Sequence, residues 1–552
     1  MAILSSFAKK NKSLFPLPRG IRLAGIVVCM VLAVLGCRSR EADNGSNLVR
    51  VRLKKNPATL DPARIVDLDG ARIAAKLYRG LVRFDEQLQP VPDLAESWRI
   101  AENGRTYVFT LRRGVLFHDG HELTADDVVF SFERVLTPAT RSPRTWVLAG
   151  IAGARQFMDG TASSIAGLRT QGRYEVVIEL TEPSAPFLFF LGLTTAHIVS
   201  LQHHQTAGSD EVHSCLVGTG PFRLARWQHN QYVVLERHEA YYRGMPLLKG
   251  IRYEIIPEDF TALVAFEKGD IDLLPEVTVA DYDRLARDPL HRFSMVQQAA
   301  LNTYYLGLNC QQKPFTDVRV RRALHYALDK QKILEKVLCN QGTQAHGPVP
   351  PLLCGTAGAE RYPYDPVKAR ALLHEAGYPH GFPLTIYQAA DGETLDILQA
   401  VQSYFNAVGI ATHIRQLEWS TFLDMVGRGD AQAFWLSWWA DYPDAENFLF
   451  PLFHSKNWGP GGNRCRFRDP AVDTALREAV ATGDILQRQA AYRTIEDQII
   501  DASPMVWCWH KSVTGVCQPW VQGLTLPALP AMETWENVWI LPYKKEEPPG
   551  RG

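Results

Sequence analysis

The residues best suited to chemistry lie between Ser437 and Leu452, in the run Ser-Trp-Trp-Ala-Asp-Tyr-Pro-Asp-Ala-Glu-Asn-Phe-Leu-Phe-Pro-Leu. Trp438 and Trp439 offer flat apolar walls, and Asp441, if poorly solvated beside them, favours a cationic partner such as an amine. That is the chemistry of gripping a ligand rather than cutting one. A plainer reading is also open: Phe434 to Trp439 is a buried strand, and Asp441 only bonds backbone amides of the turn that follows.

Catalytic patterns are missing from the rest of the chain. There is no Gly-x-Ser-x-Gly elbow, no His-Glu-x-x-His pair and no phosphate loop ending Gly-Lys-Ser/Thr. His203, His204 and His213 suggest nickel or haem capture, but no acid stands at ligand spacing, so solvent-facing or structural histidines are the better reading. The expectation is therefore no catalytic residue, no metal site and no cofactor.

Several elements must position the gripping residues. With 552 residues the chain is too long for one core, and two or three domains leave room for a large cleft. Glu96 to Val115 reads as a hairpin turning at Asn103-Gly104, and Thr124-Ala-Asp-Asp127 opens a helix with Val128, Phe132 and Val135 on one face. Asp365 caps a helix that Pro366 begins and Gly377 ends. Strand Leu384–Tyr387, helix Thr394–Ala407 and strand Ile410–Leu417 then read as a parallel βαβ unit. Helices after Asp469 and Asp484 precede two further strands, Met505–Trp509 and Ser512–Val516.

The leading segment is a separate object. Lys9, Lys10, Lys12, Arg19 and Arg22 precede an apolar run from Leu23 to Leu35, a secretion signal too short to span a membrane. Val34-Leu35-Gly36-Cys37 resembles a bacterial lipobox, which leaves two mature forms open: lipid-anchored through Cys37, or secreted and soluble. The leader holds five of the 59 basic residues and none of the 59 acids, so the remainder carries a net charge of −5. A mildly acidic body argues against nucleic acid as a partner. Seven cysteines follow Cys37, an odd number outside the cytoplasm, and Cys339–Cys354 and Cys508–Cys517 are the first pairs to consider because each closes a short loop.

Leu94-Ala-Glu-Ser-Trp, Asn103-Gly-Arg-Thr-Tyr-Val-Phe-Thr-Leu-Arg-Arg-Gly-Val-Leu-Phe-His-Asp-Gly and Leu123-Thr-Ala-Asp-Asp-Val-Val-Phe-Ser-Phe resemble the signature of family 5 extracellular solute-binding proteins, the receptors of peptide-type ABC importers. Gly218-Thr-Gly-Pro-Phe, Lys313-Pro-Phe-Thr-Asp-Val-Arg-Val-Arg-Arg-Ala-Leu and Tyr364-Asp-Pro-Val-Lys-Ala-Arg extend the likeness through most of the mature chain. The resemblance implies an α/β, two-lobed periplasmic-binding-protein-like fold with an extra small subdomain in the first lobe, a three-domain arrangement of the cluster C type. Its expected divisions are a signal at 1–36, a lipid-anchored linker at 37–47, a first lobe from 48–76, 196–300 and 508–545, an inserted subdomain at 77–195 and a second lobe at 301–507.

It also implies a site. By that likeness Asp441 takes the α-ammonium of a short peptide, the backbone of Ser437 to Trp439 pairs with the peptide as an added strand, and Trp438, Trp439 and Trp419 enclose it. Val66, Leu68, Arg144 and Trp146 match first-lobe segments that touch ligand in some members. Arg144 has the chemistry of a carboxylate partner, or else is a solvated surface arginine. Trp435 stands where some oligopeptide receptors carry a basic residue. The expected partners are short peptides and a membrane permease with its ATPase, with a monomeric body in the cell envelope. The same scaffold also binds sugars, opines, haem or nickel chelates, and an extracellular enzyme or chaperone, or a sensor partner, is a further alternative.

Overall fold

The computed structural model describes residues 47–101, 104–206, 217–288, 292–353, 360–390, 392–529 and 532–541. The expected signal, Cys37, His213, Cys215 and Cys354 lie outside them. The described chain opens with strand β1 (Leu48–Leu53), then a short hairpin of β2 (Val82–Phe84) and β3 (Pro90–Pro92). A four-stranded antiparallel sheet follows, built from β4 (Ala95–Ile100), β5 (Thr106–Leu111), β6 (Leu168–Thr170) and β7 (Glu175–Glu179). Next come β8 (Phe222–Gln228), β9 (Tyr232–Arg237), β10 (Gly250–Ile255), β11 (Leu273–Leu274) and β12 (Ser294–Ala299). The chain continues with β13 (Asn302–Leu308), β14 (Gly342–Gln344), β15 (Pro383–Ala389), β16 (Ala411–Leu417), β17 (Ala433–Trp439) and β18 (Met505–Cys517), and ends with a small pair, β19 (Val521–Gln522) and β20 (Trp539–Ile540).

Twelve of these strands join in one mixed sheet, in the order β16-β15-β17-β13-β18-β11-β1-β10-β9-β8, with β12 and β14 also paired to β18. Strand β18 is the member common to both ends. Its first half pairs with β13 and β14, and its second half with β11 and β12. Two strands divided near Lys511 were expected here; the chain instead forms one strand of 13 residues. Lys511 and Ser512 interrupt the apolar pattern because they face the cavity described below, not because the strand turns.

Local chemistry sets most element boundaries as anticipated. Asp365 accepts from the amides of Val367 and Lys368 to start helix Pro366–Glu375, and Thr124 with Asp127 forms a capping box for helix Ala125–Leu136. Strands β15 and β16 pair in parallel from Pro383↔Ala411 to Ala389↔Leu417, connected by helix Gly392–Ala407, whose Ile397, Leu398, Val401 and Phe405 are buried. A right-handed crossover of this length is the standard way to join parallel neighbours.

The expected Cys508–Cys517 disulfide is overturned. Both thiols are free and both lie on β18, nine positions apart. An extended strand separates such residues by roughly 30 Å, far beyond the ~7 Å between Cα atoms that a disulfide tolerates. Cys339 also carries a free thiol.

Packing of β17 depends on a missing side chain opposite it. Gly307 on β13 is paired with Phe434, and a Cβ at Gly307 would come within 2.3 Å of that buried ring. Gly307→Ala is therefore expected to lower the unfolding free energy by about 1–3 kcal/mol, measured by urea denaturation. An unchanged midpoint would show that Phe434 repacks freely.

Candidate functional site

Strand β17 carries the chemistry residues to the end of the sheet. Trp435 is 5% exposed and packs on Trp509, ring centroids 5.4 Å apart, so it belongs to the core. Successive residues on a strand point to opposite faces, and Trp438 and Trp439 part accordingly. Trp439 is 46% exposed and lines the large cavity, while the Trp438 indole N–H donates to the Asn447 carbonyl at 2.7 Å. Ser437 is paired with Tyr304 of β13.

The turn after β17 is fixed by hydrogen bonds. The Ala440 amide donates to the Leu301 carbonyl at 2.8 Å, and the Asp441 amide donates to the Asn447 side chain at 2.9 Å. Asp444, not Asp441, performs the turn-capping task, its carboxylate accepting from the Glu446 amide at 2.9 Å. The Asp441 carboxylate is left pointing outward. It meets the Arg144 guanidinium at 2.7 Å, with the two side chains 34% and 28% exposed respectively. Asn447, buried and holding both Trp438 and Asp441, is a positioning residue that sequence reasoning missed. Its only signal was an amide side chain at the start of an apolar helix.

A cavity of about 1060 Å³ opens beside this pair. Val66, Leu68, Arg144, Trp439 and Asp441 line it, together with Tyr304, the Leu193–Thr195 segment, Lys511 to Thr514 and Leu526 to Leu529. Its volume sits at the upper end of the ~300–1,000 Å³ common for small-ligand sites, enough for an extended ligand. Trp419 is 55% exposed on helix Trp419–Arg428 and is not among the lining residues. Trp146 also lies off the lining. Its ring packs edge-on to Phe190 at 5.4 Å and lies 6.0 Å from Tyr442, while Phe190 and Tyr442 are 4.8 Å apart. This aromatic contact braces Arg144 against the turn that holds Asp441. His204, from the histidine group, packs on Phe130 at 4.9 Å.

The lining is charged and acid-rich, with eight carboxylates against five cations among its described residues. Each cation is ion-paired: Arg52 and Lys54 with Asp259, Arg72 with Glu276, Lys511 with Glu393, and Arg144 with Asp441. The β17 backbone adds directional capacity. Strand β15 pairs with β17 only at Ala433 and Phe434, so from Trp435 to Trp439 that edge has no strand neighbour among the described residues.

The large mixed sheet, its α/β crossovers and the separate four-stranded sheet define a two-lobed periplasmic-binding-protein-like fold with an additional small subdomain. Residues 89–460 match the family described as bacterial extracellular solute-binding proteins, family 5 Middle, and the chain belongs to that family. It is 31% identical to the Heme-binding protein A of Haemophilus influenzae over 502 residues, covering 88% of this chain and 91% of the relative. It is 30% identical to the Dipeptide-binding protein of Escherichia coli, covering 84% and 89%. The structure of DppA from Helicobacter pylori in complex with peptide STSA superposes with a TM-score of 0.72 at 26% identity, covering 89% of this chain and 98% of that one.

Beneath the turn, burial pushes the Glu446 carboxyl up to about 7, while its bond from the Tyr442 hydroxyl opposes the shift. A native carboxyl that holds its proton more tightly than the unfolded one makes stability fall as pH rises from about 4.5 to about 7. Glu446→Gln removes that loss. Its stability relative to wild type should improve by up to about 3 kcal/mol between pH 4.5 and pH 7.5, read by urea unfolding at both values. A difference independent of pH would contradict the assignment.

Proposed function

We propose that this chain is the receptor of an ABC importer that captures short peptides by lobe closure and delivers them to a membrane permease without chemistry on the ligand. The observation that carries this reading is the placement of Asp441. Its part-exposed carboxylate lines a cavity of about 1060 Å³ that β17 reaches at Trp439, the last residue of a stretch with no strand neighbour on one edge among the described residues. An ammonium on Asp441 and main-chain bonds to β17 would hold a peptide while remaining indifferent to most of its side chains. The named ligands of two similar proteins, a dipeptide in the E. coli relative and the peptide STSA in the H. pylori structure, support the same class.

The haem named for the H. influenzae relative is the second candidate. The described lining includes neither histidine nor methionine, and Tyr304 and Cys339 are its only side chains of axial-ligand type; the Asp441 carboxylate, suited to an ammonium, favours a peptide. In this reading Cys37 is the lipid anchor, and the body works as a monomer with a permease and ATPase. In this reading the lobes are 48–76, 196–300 and 508–545 against 301–507, with 77–195 inserted, and β18 passes from one lobe to the other.

Asp441→Asn keeps the side-chain shape and removes the charge. It should weaken a free-amine dipeptide at least tenfold and its N-acetylated form far less, measured by isothermal titration calorimetry. Equal weakening of both would remove Asp441 as the amine anchor.

A further inference from the structure

A second, much smaller cavity of about 70 Å³ shares no lining residue with the large one. It lies between the β2–β3 hairpin, Gly192 and His197, Arg243, and residues 532–536 near the end of the described chain. Its charges do not balance. Arg79, Arg83 and Arg243 line it against Asp93 and Glu536, three guanidinium groups to two carboxylates. Both carboxylates are already engaged. Asp93 is ion-paired to Arg79 at 2.7 Å and accepts from the Tyr242 hydroxyl, while Glu536 meets Arg243 at 3.2 Å and the Tyr241 hydroxyl at 2.7 Å.

Arg83 is the surplus cation. It has no ion pair among the described residues, its Nη1 makes one long bond of 3.4 Å to the Phe84 carbonyl, and its Nε has no partner. Burial, and after it the nearby Arg243 charge, hold this guanidinium below the ordinary arginine value. Two deeper groups are open as well. Arg79 is 3% exposed with its Nε unpartnered, and His197 is 6% exposed with no partner for Nδ1. Burial pushes the His197 imidazole down to about 3, so it is neutral and offers an N–H without adding charge.

Water can satisfy the open N–H groups but not the surplus charge, and an unpaired guanidinium beside two others in a partly closed site is costly. A small anion removes that surplus. Guanidinium groups present forked N–H donors that match the oxygens of an oxyanion. At ~10–15 Å³ for each water-sized group, the cavity holds one anion of about five heavy atoms and is too small for a peptide.

We propose that the cavity between Arg79, Arg83 and Arg243 binds one small inorganic oxyanion of the phosphate or sulfate type, which ties residues 532–536 to the β2–β3 hairpin. The anion is a structural ligand and not cargo. It stabilises the folded chain by mass action and leaves the large cavity free to exchange its own ligand.

Isothermal titration calorimetry tests this on the full chain, with sodium phosphate and, separately, sodium sulfate, in a buffer whose ionic strength is held constant with sodium gluconate. At least one of the two should show saturable binding at a single site. Arg83→Gln should weaken that binding at least tenfold, and Arg144→Gln, in the large cavity, should leave it unchanged. In thermal melts, the bound anion at about a hundredfold excess over its dissociation constant should raise the wild-type midpoint by about 2–3 °C. Chloride at equal ionic strength should give no such rise, a comparison that needs no variant, and melts without either oxyanion confirm that both variants fold. No saturable binding by the wild type, binding that survives Arg83→Gln or is lost with Arg144→Gln, or an equal rise with chloride would overturn the oxyanion site.

Discussion

Everything in the site hangs on the backbone pairing of β18. A strand of 13 residues spans roughly 40 Å, and by pairing β13 at one end and β11 and β12 at the other it carries one hydrogen-bonded ladder through both halves of the protein. Trp507 and Trp509 are fully buried near its start, and the Trp435 ring packs on Trp509. The middle of the strand, Lys511 to Thr514, forms part of the cavity wall. The same strand thus anchors the core and floors the site, and β17 reaches the cavity because β13 is held between it and β18.

Electrostatics then decides what the cavity welcomes. An ion pair exposed to the extent of Arg144–Asp441 contributes only about 0–1 kcal/mol, so a ligand that shares or rearranges it gives up little. The excess of carboxylates and the pairing of every described cation make the cavity a poor host for a lone anion and a better one for a ligand carrying an ammonium. In the proposed function, strand addition would supply the remaining hold through groups common to all peptides.

Much of this was legible in the sequence where short-range chemistry rules. Caps such as Asp365 and Thr124 announce their helices because the groups they satisfy lie two or three residues away. The turn at Asp441 stood out for the same reason, and the family likeness suggested the role proposed for it. Long-range facts were hidden. Nothing local shows that Arg144 meets a carboxylate 297 positions later, that Asn447 anchors the turn, or that Lys511 is a cavity residue within one continuous strand instead of a break between two. The Cys508–Cys517 expectation failed likewise: short spacing suggests a closed loop, whereas an extended strand turns the same spacing into distance.

The central claim, that this cavity is built for peptides, is tested most directly by native mass spectrometry of the gently purified chain, followed by denaturation to release what it carried. The account predicts a set of short peptides, recovered intact after long incubation and replaceable by added peptide. Release of haem, a sugar or a metal chelate, or an empty chain that stays empty after soaking in a peptide mixture, would contradict it.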